Sequence, residues 1–159
     1  MIAGDFSNFD GTLHVEILHE ICDIINAWYA DSEENQRIRR ILWRELLNSV
    51  HVCRDSIYMW THSQPSGNPM TAVLNSIYNA IACRYVWMLT MENKPEMQNM
   101  KCFRENVTMV SYGDDNLLNV SEQAISSYNQ ITMAKAFSRF GMTYTDEAKS
   151  GTMVESRRI

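Results

Sequence analysis

Positive charge is scarce in this chain of 159 residues: 14 Lys and Arg stand against 19 Asp and Glu, a net charge of −5. An autonomous nucleic-acid-binding domain shows a basic face or a high pI. Any basic surface that this chain relies on for nucleic acid therefore lies elsewhere. The cysteines are few and scattered (Cys22, Cys53, Cys83, Cys102), with no Cys-x-x-Cys pair. That excludes a zinc knuckle and a dithiol redox motif, and it reads as reduced thiols in a cytosolic protein. His14 and His19 bracket Glu16 but stand five apart. Two zinc ligands on one helix face need a spacing of four, so a zinc-hydrolase helix is excluded. No apolar run is long enough to span a bilayer, and the opening Met1-Ile2-Ala3-Gly4-Asp5 does not read as a signal peptide. Internal repeats and low-complexity segments are also missing. The sequons at Asn106 and Asn119 read as chance matches.

What is present suits one domain. A chain of this length can bury roughly 68–70% of its unfolded surface, and 45% hydrophobic with 21% charged residues is ordinary for a globular protein. Leu18, Ile21, Ile25 and Trp28 recur at helical spacing in HVEILHEICDIINAWY, which predicts an amphipathic helix. Asp31 with Glu34 three later predicts a capping box. It opens a second helix whose expected buried stripe is Ile38, Ile41, Leu42 and Leu46, with Arg37, Arg39, Arg40 and Arg44 on a solvated face. Residues 50–62 read as a hairpin, and 64–69 as a loop dense in turn residues. A third helix is expected over roughly 70–89, then a polar connector, a hairpin over about 104–120 and a fourth helix near 122–140. Gly141 stops that helix, and a short strand is expected from Met142 to Thr145. The predicted fold class is α+β, a small antiparallel sheet with helices packed on one face.

Chemistry concentrates in three places. Asp114 and Asp115 sit in SYGDDNLLNV between two apolar runs, as a hairpin tip would hold them. Asp5 and Asp10 lie in GDFSNFD, Asp5 at the end of an apolar start. If that strand pairs beside the 107–112 strand, Asp5 and Asp114 meet. Clustered carboxylates are costly unless a cation neutralises them, and hard oxygen ligands suit Mg²⁺ or Mn²⁺. Two such ions can clamp the attacking and leaving oxygens of a phosphoryl displacement. Finally, Ser66 and Gly67 precede Thr71 and Asn75, which stand four apart and share one helix face. The glycine lets a backbone approach a ligand closely.

D-x₄-D, S-G-x₃-T-x₃-N and YGDD, in this order and at these separations, resemble motifs A, B and C of viral RNA-dependent RNA polymerases. FGMTYTDEAKSG looks like motif D, with Lys149 at its lysine position. The wording resembles picornavirus-like polymerases, and GDFSNFDG with QPSGNP most resembles those of insect dicistroviruses and their relatives. The resemblance covers residues 1 to about 151.

The resemblance implies a polymerase palm that joins NTPs to an RNA 3′ end by a two-metal mechanism, in viral genome replication. Asp5 and Asp114 would be the principal ligands of two Mg²⁺ ions, with Mn²⁺ as a substitute and Asp115 assisting. Asp10 and Asn75 would read the ribose 2′-OH, with Ser66, Gly67 and Thr71 supporting that pocket. Lys149 would protonate the departing pyrophosphate, while Tyr112 and Gly113 shape the turn. The implied partners are an RNA template and primer, nucleoside triphosphates and other viral replication proteins. The implied location is the host cytoplasm, at membrane-associated replication complexes. The family's fingers precede motif A and its thumb follows motif E. Residues 1–159 are therefore expected to be one partial domain of a polymerase released from a polyprotein, and inactive by itself. Two rivals remain at this point: a reverse-transcriptase palm, which Asp10 and Asn75 argue against, and a non-catalytic RNA-binding module, which would display more aromatic and basic side chains.

Overall fold

A computed structural model describes residues 1–146. Its main sheet has four strands: β1 (Ile2–Ser7), β4 (Val107–Tyr112), β5 (Asp115–Val120) and β6 (Thr143–Asp146), in the order β4-β5-β1-β6. All pairings are antiparallel. Pairing of β1 beside the 107–112 strand was the condition under which Asp5 and Asp114 would meet as strand neighbours; β1 instead lies between β5 and β6, with Gly4 opposite both Asn116 and Asp146. The physical reason is burial. β1 hides Ile2, Gly4, Asp5 and Phe6, as an interior strand must, while β4 leaves Thr108, Val110 and Tyr112 exposed, as an edge strand can.

The expected helices form with shifted ends. They are α1 (Val15–Tyr29), α2 (Glu33–Leu47), α3 (Thr71–Thr90), α4 (Met100–Asn106) and α5 (Gln130–Ser138). α3 packs against β4 and α5 against β6, so both lie on the sheet. β5 alternates accordingly: Asn116 and Leu118 are buried, whereas Asp115, Leu117 and Asn119 face outward. The core between them is aromatic. Phe6 meets Phe9, Phe137 and Tyr144, each with ring centroids 4.9 Å apart. Trp87 packs edge-on to Phe103 and Tyr128 and donates its Nε1–H to the Met97 carbonyl at 2.9 Å, so its polar atom is satisfied.

Four expectations need correction. Ser32, not Asp31, caps α2, accepting from the Asn35 N–H at 3.3 Å. Asp31 is drawn off by Arg39, whose guanidinium grips both its carboxylate oxygens and holds its carboxyl below the usual carboxylate range. Arg39 therefore leaves the solvated face, while Arg37 and Arg40 stay on it in exposed pairs with Glu34 and Asp23. The stripe on α2 is also reversed: Trp43 and Leu47 are buried, whereas Ile38, Ile41 and Leu42 are exposed and Leu46 is half-buried. In α1, Leu18 and Ile21 are buried and Trp28 is 79% exposed. Both helices carry two apolar stripes, and only one of each faces the core. The other lines a separate apolar groove of about 970 Å³ that includes Ile24, Trp28, Leu42 and Val73.

The helix expected over 122–140 begins only at Gln130. Asn129 builds a capping box with Thr132, accepting from the Ile131 and Thr132 N–H groups, and starts the helix there. Gly141, at φ +79°, follows the helix end as expected, and the Met142 N–H returns to the Phe137 carbonyl at 3.2 Å. α4 was hidden in the connector and the start of the predicted hairpin. Asn99 caps it, accepting from the Cys102 N–H at 2.9 Å. The hairpin of residues 50–62 forms as β2 (Val50–Cys53) and β3 (Ser56–Met59), a separate sheet of two strands.

Candidate active site

The β4–β5 hairpin closes tightly. Tyr112 pairs with Asp115, leaving only Gly113 and Asp114 as the loop. Gly113 has φ +63° and Asp114 is not among the positive-φ residues. Such a loop needs glycine at its first position, so the glycine of YGDD is a backbone requirement. It sets Asp114 at the tip and Asp115 at the first residue of β5. Burial pushes the Asp114 carboxyl above the usual range, and the negative charges of Asp5, Asp115 and Asp10 push it the same way. A local backbone hydrogen bond works against them. Asp5 is nearly buried on β1, and its Oδ1 accepts from the Phe6 N–H at 2.7 Å.

A second cluster gathers on Asp10, which a short 3-10 turn (Phe9–Thr12) carries after β1. Its Oδ1 accepts from Asn75 Nδ2 at 2.6 Å and from Gln64 Nε2 at 3.2 Å. Its Oδ2 accepts from the Ser66 hydroxyl at 2.6 Å. Gln64 Nε2 also donates to Asn75 Oδ1. Three side chains from two neighbouring elements, the 64–66 loop and α3, thus converge on one carboxylate more than fifty positions away. Thr71 takes a different part: its hydroxyl turns back to the Asn68 carbonyl at 2.7 Å and the Ser66 carbonyl at 3.1 Å. It braces the loop and makes no hydrogen bond to Asp10. A Cβ added at Gly67 would meet nothing within 4 Å, so internal packing does not demand that glycine.

Two residues of α3 that the sequence reading passed over hold the hairpin. The Ser76 hydroxyl accepts from the Gly113 N–H at 2.8 Å. Asn79, fully buried, donates from Nδ2 to the Asp114 carbonyl at 2.8 Å and, at longer range, to those of Gly113 and Asp115. Behind it, Asn79 Oδ1 accepts from Asn116 Nδ2 at 3.3 Å, and Asn116 Oδ1 accepts from the Tyr144 hydroxyl at 2.7 Å. Asparagine inside a helix ordinarily points to solvent or competes with the backbone. The one signal available was its repetition, Asn75 then Asn79, four apart on one face. The two clusters share a cleft of about 710 Å³ whose walls include Asp10, Ser66, Asn75, Gly113, Asp114 and Asp115. Asp5 does not line the cleft; it acts on Asp114 through its charge.

Comparison with known proteins matches all of residues 1–159 to the viral RNA-dependent RNA polymerase family. The chain belongs to that family. It is 45% identical to the replicase polyprotein of cricket paralysis virus, over 98% of this chain and 9% of that polyprotein. It is 43% identical to that of Drosophila C virus, over all of this chain and 10% of the polyprotein. Among solved structures it shares the fold of a sicinivirus 3Dpol RNA-dependent RNA polymerase, with a TM-score of 0.74 at 22% identity, over 98% of this chain and 30% of that one. The chain thus spans about a tenth of its polyprotein relatives and under a third of a solved polymerase.

Within this chain, the structure brings together Asp5, Asp10, Asp114 and Asp115 electrostatically, and Asp10, Ser66 and Asn75 by hydrogen bonds. Lys149 lies outside the described residues. The family is generally metal-dependent. Among the described residues no group of three or more His, Cys, Asp or Glu side chains stands ready to hold a metal ion. The carboxylate set still fits Mg²⁺, which takes one or two protein carboxylates plus phosphates and keeps several waters. The raised Asp114 carboxyl carries a repulsion that a cation would relieve.

Proposed function

We propose that this chain is the palm of a polymerase that performs RNA-templated RNA synthesis during viral genome replication, by nucleotidyl transfer to an RNA 3′ end. The observation that carries this reading is the shared cleft: Asp114 and Asp115 on the β4–β5 tip, with the charge of Asp5 acting on Asp114 from β1, lie beside a carboxylate already gripped by three side chains.

In this reading Asp5 and Asp114 hold two Mg²⁺ ions, with Asp115 assisting and Mn²⁺ able to substitute. When bound, the ions would stabilise the charge on the attacking and leaving oxygens of the displacement. The chain's own groups orient the nucleotide. Asn75, Gln64 and Ser66 fix the direction of the Asp10 carboxylate, so Asp10 stands as a preorganised acceptor for the ribose 2′-OH, with Asn75 beside it. A site built to hydrogen-bond a hydroxyl rejects the analogue lacking it, because its buried polar groups are left unpaired. Thr71 holds the Ser66–Asn68 loop in shape, and the open space over Gly67 admits close approach of a substrate. Lys149 supplies the proton that the pyrophosphate needs on leaving.

The partners in this reading are an RNA template and primer, nucleoside triphosphates, the fingers and thumb of the same polymerase and other viral replication proteins. Work takes place in the host cytoplasm at membrane-associated complexes. No described helix is long and apolar enough to cross a membrane.

The test is primed, templated extension by the full polymerase with NTPs or dNTPs in Mg²⁺, for wild type, Asp114→Asn and Asn75→Ala. The reading expects extension with NTPs, a dead Asp114→Asn and a narrowed NTP preference in Asn75→Ala. Near-wild-type extension by Asp114→Asn would overturn the metal assignment.

A further inference from the structure

A two-residue hairpin loop at the end of an edge strand is ordinarily among the loosest parts of a fold. The loop that carries Asp114 is held instead. Its carbonyls face a buried amide on α3, its Gly113 N–H is taken by Ser76, and that amide is itself braced from behind by Asn116 and Tyr144. Asn79, Asn116 and Tyr144 are buried to within 5% exposure or less, and each hydrogen bond between them links a different element: α3, β5 and β6. Space has been cleared for this chain of contacts. A Cβ at Gly4 would stand 1.9 Å from the Tyr144 hydroxyl oxygen, so only glycine on β1 lets that hydroxyl pass to Asn116.

The helix matters as much as the amide. One turn before Asn79, Asn75 holds Asp10. The same helix therefore holds both the Asp114 turn and the Asp10 carboxylate, and with them the distance between the two halves of the cleft.

We propose that Asn79 is a positioning residue for nucleotidyl transfer: it fixes the Asp114 turn against α3, with Asn116 and Tyr144 keeping its amide aimed. This rests on the polymerase reading above. Asn79 touches no substrate. It acts by holding the backbone on which Asp114 is mounted, and small displacements of a reacting constellation are expensive in rate.

The experiment uses the full polymerase, with rates normalised to active sites counted by burst titration. Asn79→Leu keeps the branched shape and removes the amide; Tyr144→Phe keeps the ring and removes only the hydroxyl. Asn79→Leu should lower kcat by about tenfold or more, because the turn moves relative to the nucleotide. The KM for NTP should stay within about twofold, since ribose contacts are untouched. The Mg²⁺ concentration for half-maximal rate should rise, and Mn²⁺, which tolerates looser geometry, should restore more rate to the variant than it adds to wild type. Tyr144→Phe should shift the same quantities in the same direction by less, and it decides the matter if Asn79→Leu fails to fold. A purely structural role predicts lower melting temperatures with kcat per active site and Mg²⁺ dependence unchanged; that result overturns the inference. A wild-type polymerase unable to extend overturns the polymerase reading itself, and this inference with it.

Discussion

Asn75 Nδ2 donates to Asp10 Oδ1 at 2.6 Å, tying α3 to the turn after β1 across 65 positions of sequence. The bond is charge-assisted and part-buried, and such bonds contribute about 1.5–3 kcal/mol where a neutral pair contributes about 1. Removing it leaves Asp10 with Gln64 and Ser66 as donors, so the carboxylate survives but its aim relaxes. In the full polymerase, Asn75→Ala should cut the NTP-over-dNTP ratio of kcat/KM by about tenfold, in line with a lost hydrogen bond of that strength. An unchanged ratio in single-nucleotide incorporation would remove Asn75 from sugar selection.

Gln64 has a mixed position. Its Nε2 bridges Asp10 and Asn75, yet its buried Oε1 has no protein partner among the described residues. Gln64→Met removes one useful donor together with one unsatisfied acceptor. Sugar discrimination should fall, by less than in Asn75→Ala. Stability should change by under about 1 kcal/mol, because the lost bridge and the relieved carbonyl oppose each other. Denaturant melts and the same incorporation assay measure the two effects side by side.

Asp114 links function to stability with a definite sign. Its carboxyl is pushed up by burial and by Asp5, Asp115 and Asp10. A carboxylate with a folded pKa above its unfolded value opposes folding when ionised. In metal-free buffer, stability should therefore rise as pH falls through the raised value toward the ordinary 3.8. Asp114→Asn should melt a few degrees higher than wild type at neutral pH without metal, and lose that pH dependence. Adding Mg²⁺ should raise the wild-type melting temperature and leave Asp114→Asn nearly unmoved, by simple linkage. Calorimetry across pH, with and without Mg²⁺, reads all of these; a variant that melts lower than wild type contradicts the electrostatic account.

Gly4→Ala tests the packing behind the hairpin. The added methyl would meet the end of the Tyr144 ring, with its Cζ at 2.1 Å and its oxygen at 1.9 Å. A ring end cannot fold away as a flexible chain can. Overpacking of this kind costs about 1–3 kcal/mol. The displaced hydroxyl should also lose its Asn116 bond. Tyr144→Leu alone removes ring and bond together, and the double variant should cost clearly less than the sum of the two singles. Additive melting temperatures would show that the two positions do not compete.

Local chemistry was legible in the sequence, and long-range pairing was not. The Gly113-Asp114 loop could be read because a tight turn leaves its mark on a few adjacent residues, and α3 because twenty residues without glycine or proline follow the turn residues of 64–69. The acids and the Asp10–Asn75 pair were found through ordered motifs; spacing alone would have left Asn75 on a solvent face. The neighbour of β1 stayed open in the sequence because nothing in GDFSNFD states whether β4 or β5 lies beside it. Leu42 and Trp28 were placed in the core because an apolar stripe says that something covers it, without saying what. Asn79 and Gln64 escaped for a related reason: their partners lie 35 and 54 positions away, and an amide has no preference until those partners are in place.

The contact between Gly4 and Tyr144 reaches beyond this one molecule. Two residues on neighbouring strands claim a single volume, so position 4 can gain a side chain only if position 144 becomes shorter or turns aside. This pair can change only in concert. Lineages should fall into two size classes, small facing large and large facing small, with mixed pairs rare. In the first class the hydroxyl steadies the acid-bearing turn from behind; in the second, some other group must take over that duty.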